Sequence, residues 1–357
     1  MTKLVRFAAA CVAAVVAFGA CGSLWGETCT YDGGWDVTPS GEADDIVIVS
    51  GDLTWGASLP AKVASWTQSG GTVTFQTVYG DTGFTLFEVT GDVSLTGGTW
   101  THTENSSAET YRLAVTVGGN LNLGTDATID VTGCGYVKGK GPGYPGGSAG
   151  GCYGGIGTNG SDANCYGSVM RPVNLGSGGN HNAGGGAIAL TVGGTLTLNG
   201  AIVCDGYVGA KGRGDSVQYS GGSGGSVLLV ANAFAGTGSV SASGGAVSTG
   251  YWGAGGRVAL VQTGEATDFS AFTGSVHAWP TGKMIWARVR STTRRRRTVT
   301  AGGAWSSTAA LQRRVRRRRS FISTSRRWSL RRARSRFRTA RRSRSSAGRA
   351  PSLRWAR

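Results

Sequence analysis

Residues 186–206 read GAIALTVGGTLTLNGAIVCDG, and residues 113–135 read LAVTVGGNLNLGTDATIDVTGCG. The two stretches share one plan: an alternating apolar strand, Val-Gly-Gly, a second alternating strand, a small-residue turn and a third strand. Ile188, Leu190 and Val192 share one face, as do Leu196 and Leu198, while Ala189, Thr191, Thr195 and Thr197 take the other. Alternation with period 2 marks half-buried strands, and Thr and Val favour a pleated surface. A degenerate copy, VLLVANAFAGTGSVSASGG, covers 227–245, and SGDLTW (50–55) and TGDVSL (90–95) echo the second strand upstream. The lead-ins AGGGAIAL (183–190), GSGGSVLL (222–229) and GAGGRVAL (253–260) begin 39 and 31 residues apart.

A strand–turn–strand–turn–strand unit of about 20 residues cannot bury its apolar row alone. Stacking unit upon unit pairs each strand with its counterpart above and below and joins the inward rows into one core. The expected fold is therefore all-β, a right-handed parallel β-solenoid with an elongated core. Gly-Gly corners suit tight turns that need φ > 0. Of the 63 glycines, 39 lie between Gly133 and Gly256, so the residues left over between strands form Gly-rich loops on one side. No G-X-Y period holds, which excludes collagen. Residues 27–112 are richer in Trp (Trp35, Trp55, Trp66, Trp100) and read as an N-terminal cap and first coils, with the repeats following over 113–287.

The GGG-x-[IV]-x-L lead-ins at 186–190, 224–229 and 255–260, with the VGG-x-L-x-L corners at 117–123 and 192–198, resemble the Gly-rich β-helical passenger segments of bacterial autotransporter-type surface proteins. The resemblance extends over roughly 45–282. It implies an exported, adhesin-like or structural protein of the cell surface, with envelope glycans or other envelope proteins as partners. The chain departs from that pattern in showing no run of alternating strands of membrane-barrel type.

Both ends differ from the body. Lys3 and Arg6 precede an uncharged run, FAAACVAAVVAFGA (7–20), too short to span a bilayer, so residues 1–26 read as an export signal. Phe18-Gly19-Ala20-Cys21 resembles a lipobox, which makes Cys21 a lipidation candidate; membrane attachment is expected only through the signal or that anchor. The net charge of +17 resides in the other end, where residues 288–357 hold 25 Arg and no Lys, Asp or Glu. The remaining 11 basic residues stand against 19 acidic ones, so the body is acidic. Arg294–Arg297 and Arg316–Arg319 are the type of run that binds phosphate backbones, but such a tail on an exported acidic solenoid leaves no physiological nucleic-acid role. The repeat stops after FTGSVHAWPTG (272–282), and composition changes within a few residues to Arg, Ser, Ala and Trp. Arg without Lys is what shifted Gly and Ala codons of a GC-rich gene encode, so 288–357 reads as a frame-shifted translation, with a disordered basic tail as the alternative.

Export opens the cysteines to oxidation. CYG recurs at 152–154 and 165–167, which makes Cys152–Cys165 the expected disulfide and leaves the pairing of Cys29, Cys134 and Cys204 open. His102, His181 and His277 are isolated in sequence, so no metal or other cofactor is expected. GGSAG (146–150) and GGSGG (221–225) match the nucleophile-elbow pattern at Ser148 and Ser223, and GPGYPG (141–146) and GIGTNG (155–160) match a dinucleotide fingerprint. All four lack the helix their chemistry requires. GGIGTNGSD (154–162) is a single imperfect copy of a calcium-binding nonapeptide. The enzymatic alternative is a polysaccharide lyase or hydrolase, which needs converging carboxylates. Its candidates are Asp126 and Asp130 around a coil turn and Asp205 near the equivalent place one repeat later, where a stacked pair would form. The expectation is a non-enzymatic surface solenoid. Sequencing the gene across codons 283–290 separates the two readings of the tail: a shifted frame supports the first, and an intact frame with tail peptides in cells refutes it.

Overall fold

The computed structural model describes residues 26–80, 84–207, 220–245, 251–264 and 269–280. Cys21, with residues 1–25 of the expected leader, and the Arg-rich tail lie outside these. Among the described residues every regular element is a strand except one 3₁₀ turn, Asp162–Asn164. The strands pair almost wholly in parallel, and the chain folds as a parallel β-solenoid.

The register follows the repeat. Leu113 pairs with Ile188 and Val117 with Val192 on the first-strand face. Leu121 pairs with Leu196 on the second, and Ile129 with Ile202 on the third. The lead-ins align in the same way, Ile188 on Val227 and Val227 on Val258. Along the third face one inward column runs Leu53, Val73, Trp100, Ile129, Ile202, Val240 and Val276, one residue from each of seven successive coils. All but Val276 are buried, and Val276 packs against them. Each column is thus continuous with those above and below it, as the alternation of apolar residues requires. One upstream echo is corrected by the register: TGDVSL lies on the second face, Val93 pairing with Leu121, but SGDLTW lies on the third, Leu53 pairing with Val73.

The turns also differ from expectation. Gly118 and Gly193 of the VGG corners do not have positive φ. They are glycine because each corner rests on the corner of the preceding coil, so that a Cβ at Gly118 would overlap the Thr90 carbonyl and one at Gly193 the Gly118 carbonyl. Positive φ occurs instead at the corner between second and third strands, at Gly51, Gly71, Gly98 and Gly236.

Three of the four tryptophans of the first coils lie in the core. Trp55, Trp66 and Trp100 are buried together with Phe75 and Phe87. Their rings meet edge-on or tilted at 5.0–6.0 Å, a favourable geometry for aromatic pairs. Gln68 sits inward among them, fully buried, and satisfies what the rings cannot satisfy for each other. Its Oε1 accepts the indole N–H groups of Trp100 (2.8 Å) and Trp66 (3.4 Å), and its Nε2 donates to the carbonyls of Gly70 and Gly71. The end of the stack is closed by Thr28–Asp32, which pairs in parallel with Asp45–Ser50, and by Trp35, which packs on Tyr31 and Trp55. The Asp44 carboxylate stitches this end: burial raises its pKa, but three N–H donors, from Ser40, Glu27 and Gly41, outweigh that and hold it below the usual range.

The long insertions all leave from one corner, after the third strand. The described parts of these insertions, 132–186, 204–207, 220–225, 242–245 and 251–256, form a packed layer rather than separate loops. Their backbones bond directly to each other, as in Gly151 N–H to Gly221 C=O, Gly185 N–H to Ser223 C=O and Ala254 N–H to Gly151 C=O. A Cβ at Gly222 would overlap the Ala183 carbonyl, and one at Gly253 the Gly222 carbonyl. The layer covers the outward side of the first-strand face. Ser226 points outward there yet is fully buried, its hydroxyl bonded to Tyr153 Oη at 2.6 Å. Arg257 donates to the carbonyls of Tyr166 and Tyr153 and lies over the Tyr153 ring.

Replacing Gln68 by Leu leaves two buried indole donors and two carbonyls without their partner. Denaturant unfolding is expected to show a loss of about 2–3 kcal/mol, since each orphaned buried polar group costs roughly 1–3 kcal/mol. A neutral or stabilising result contradicts the role given to Gln68.

Candidate functional site

Beyond the covered first face, outward side chains are mostly Thr, Ser and Asn. The third face departs from this in its last four coils. The corresponding segments are Ile129-Asp130-Val131-Thr132, Ile202-Val203-Cys204-Asp205, Val240-Ser241-Ala242-Ser243 and Val276-His277-Ala278-Trp279. Hydrogen bonds carry the parallel register past the strand ends, from Gly133 N–H to Asp205 C=O, Gly206 N–H to Ser243 C=O and Gly244 N–H to Trp279 C=O. The first and third residues of each segment point inward. The second and fourth form two outward columns: Asp130, Val203, Ser241, His277 and Thr132, Asp205, Ser243, Trp279.

This register corrects the expected carboxylate stack. Val203, not Asp205, lies beside Asp130. Asp205 is diagonal to it, one coil on and one outward position along, a backbone separation of about 8 Å from strand spacings. Asp126 does not join them: it is exposed at the start of the strand, opposite Gly97.

Asp205 is held by the next coil. Its Oδ1 accepts the Ser241 hydroxyl and the Ser243 N–H, both at 2.6 Å, and the two serine hydroxyls meet at 3.1 Å. Among the described residues Oδ2 accepts nothing. Burial raises the Asp205 pKa, the two serine hydrogen bonds oppose this, the Asp130 charge raises it further and His277 lowers it. Asp130 likewise uses one oxygen, accepting the Thr132 N–H at 2.8 Å. His277 makes no hydrogen bond among the described residues and meets the Trp279 ring edge-on at 5.3 Å. Trp279 is 54% exposed, a large apolar ring left in solvent beside polar groups.

The remaining candidates are scattered. Cys152 and Cys165, expected as a disulfide, are free thiols in the structure. Cys152 is buried with its sulfur accepting the Gly157 N–H at 3.2 Å, while Cys165 is partly exposed after the 3₁₀ turn. Cys29 and Cys204 fill inward positions as small apolar side chains, and Cys134 is also buried. Ser223 is buried and bonded to the Ser177 backbone, and Ser148 is exposed; neither is followed by a helix. His102 is inward, accepting the Ala187 N–H at Nε2. Among the described residues no group of three or more His, Cys, Asp or Glu is arranged to hold a metal ion.

No family model matches the sequence, and no curated protein and no solved structure matches it either. The third-face columns are the strongest concentration of unspent polar chemistry that the geometry offers. Ser241, Ser243 and Trp279 carry no signal of their own in the sequence, and His277 stood there only as an isolated histidine, although lining up the four segments as consecutive coils places all four beside Asp205.

Because the folded state raises the Asp205 pKa, ionised Asp205 disfavours folding at neutral pH, and that penalty disappears on acidification through the folded and then the unfolded pKa. Asn at 205 keeps an oxygen for both serine donors and removes the charge. Asp205→Asn is therefore expected to raise the melting temperature at pH 7, with the gain shrinking to nothing near pH 3. A lower melting temperature at pH 7 contradicts this assignment.

Proposed function

We propose that the chain is a non-enzymatic, exported solenoid of the cell envelope, adhesin-like or structural, that presents its open faces to glycans or envelope proteins. The observation that carries this reading is the asymmetry of the solenoid: over the later coils the glycine layer packs on the outward side of the first face and buries Ser226 and Leu228, while the third face stays partly exposed and becomes polar, acidic and aromatic in its last coils. The stacked coils supply a long rigid surface, which suits repeated weak contacts with an extended partner. The basic, then apolar N-terminus supports export.

A second reading, an inverting polysaccharide hydrolase, draws on the diagonal Asp130–Asp205 pair. The two carboxylates project from the same face on neighbouring coils, and Asp205, its pKa raised by burial, suits the acid of such a pair. Binding without turnover is favoured because both carboxylates lie half-exposed on an open sheet face, where water screens the electrostatic stabilisation that catalysis needs.

Protease shaving of intact producing cells tests the proposal. Release of solenoid peptides, with no sugar released from polysaccharides by the purified chain, is the expected result. A chain confined to the cytoplasm, or reducing-sugar release abolished by Asp205→Ala, overturns it.

A further inference from the structure

We propose that the outward columns of the third face form a binding site for neutral glycans, with Trp279 as the stacking platform and Asp130, Asp205 and His277 as hydrogen-bonding groups. This deepens the surface-solenoid reading and rests on it for its biological setting, but not for its chemistry.

Three observations converge on this stripe. First, hydrogen-bonding capacity is left over on one face: Oδ2 of Asp205, one oxygen of Asp130 and both ring nitrogens of His277 accept or donate nothing among the described residues. Second, the half-buried Asp205 carboxylate is fixed in place by Ser241 and Ser243, and among the described residues no Lys or Arg forms an ion pair with it. Third, the indole of Trp279 is exposed at the end of the same columns, and its backbone N–H reaches Ser243 Oγ at 3.4 Å, which ties its position to the serines that hold Asp205.

The ligand class follows from these groups. A pyranose has a C–H face that stacks on an aromatic ring and a rim of hydroxyls that donate to carboxylate oxygens and accept from an imidazole N–H. From the coil of Asp130 to that of His277 and Trp279 are three coil steps, about 14 Å at ~4.8 Å per step, so the stripe runs along the solenoid axis and admits a short oligosaccharide rather than a single ring. Among the described residues this stripe carries two carboxylates and no Lys or Arg, a balance that repels uronic acids and phosphorylated sugars. The chemistry is therefore that of a neutral chain.

Calorimetric titration of the full chain with cellohexaose, laminarihexaose and mannohexaose, beside an oligogalacturonate of equal length, tests the site. Binding of at least one neutral hexasaccharide is expected, with the oligogalacturonate weaker than that probe. Trp279→Ala and Asp205→Ala should each weaken it roughly tenfold or more, the effect of about 1.4 kcal/mol lost with one stacking or hydrogen-bonding partner. Asp126→Asn, which lies outside the stripe, should bind as the parent does. Asp205→Asn, which retains the serine hydrogen bonds, guards against a folding artefact: weakened binding with an undiminished melting temperature supports the site. No binding by any neutral probe, a preference for oligogalacturonate, or unchanged affinity in both alanine variants overturns it. A chain at the cell surface that fails these titrations sinks the glycan site alone. Binding accompanied by sugar release keeps the site and sinks the non-enzymatic reading.

Discussion

Every coil of this protein depends on the one before it for somewhere to put its apolar row. A single turn of three short strands has inward side chains on all three faces but no second layer to cover them, so the hydrophobic effect acts only between coils. That constraint fixes the parallel register, because a one-residue slip would turn each inward column outward. It also fixes the corners, where glycine is needed less for unusual backbone angles than because corner stacks directly on corner. Gly118 on Thr90 and Gly193 on Gly118 are the same contact repeated.

The core changes character along the axis under the same constraint. The early coils fill their interior with Trp55, Trp66, Phe75, Phe87 and Trp100, and the later ones mainly with Ile, Leu and Val, thinning at Ala231 and Ala242. Indole brings a polar N–H into the interior, and the buried Gln68 is there to meet it. Where the interior thins, the outside thickens: the glycine layer begins after Val131 and is packed so closely that side chains are excluded at its crossings. The layer covers part of the first face in the later coils, and the third face keeps partial access to solvent. The position of the candidate site is a consequence of which corner carries the insertions.

The solenoid was legible in the sequence because its two signals are local. Alternation assigned Ile188, Leu190 and Val192 to the interior, and the likeness of 113–135 to 186–206 was already the register of the sheet. The degenerate upstream coils were harder. SGDLTW resembles a second strand in composition but lies on the third face, and of the tryptophans in 27–112 only Trp35 sits at the closed end while Trp55, Trp66 and Trp100 are interior, a division that bulk alone does not make. The glycine layer was not legible: its contacts join segments far apart in sequence through backbone atoms, which leave no side-chain pattern. The site was half legible. Asp130 and Asp205 stood out as carboxylates, but their diagonal relation, and the serines, His277 and Trp279 beside them, emerge only when each segment is placed one coil below the last.

The in-register stack is tested most directly by a distance between residues far apart in the chain. Thr67 and Ala235 lie outward in one column of the second face, linked through Ser94, Asn122 and Thr197. Four coil steps at ~4.8 Å place their backbones about 19 Å apart, although 168 residues separate them. With Cys165 replaced by Ser, nitroxide labels at Thr67→Cys and Ala235→Cys should give a narrow electron-spin distance distribution near that value, widened by the label tethers. A broad distribution, or one centred beyond roughly 35 Å, the reach of more than seven coil steps, would contradict the stacked-coil architecture.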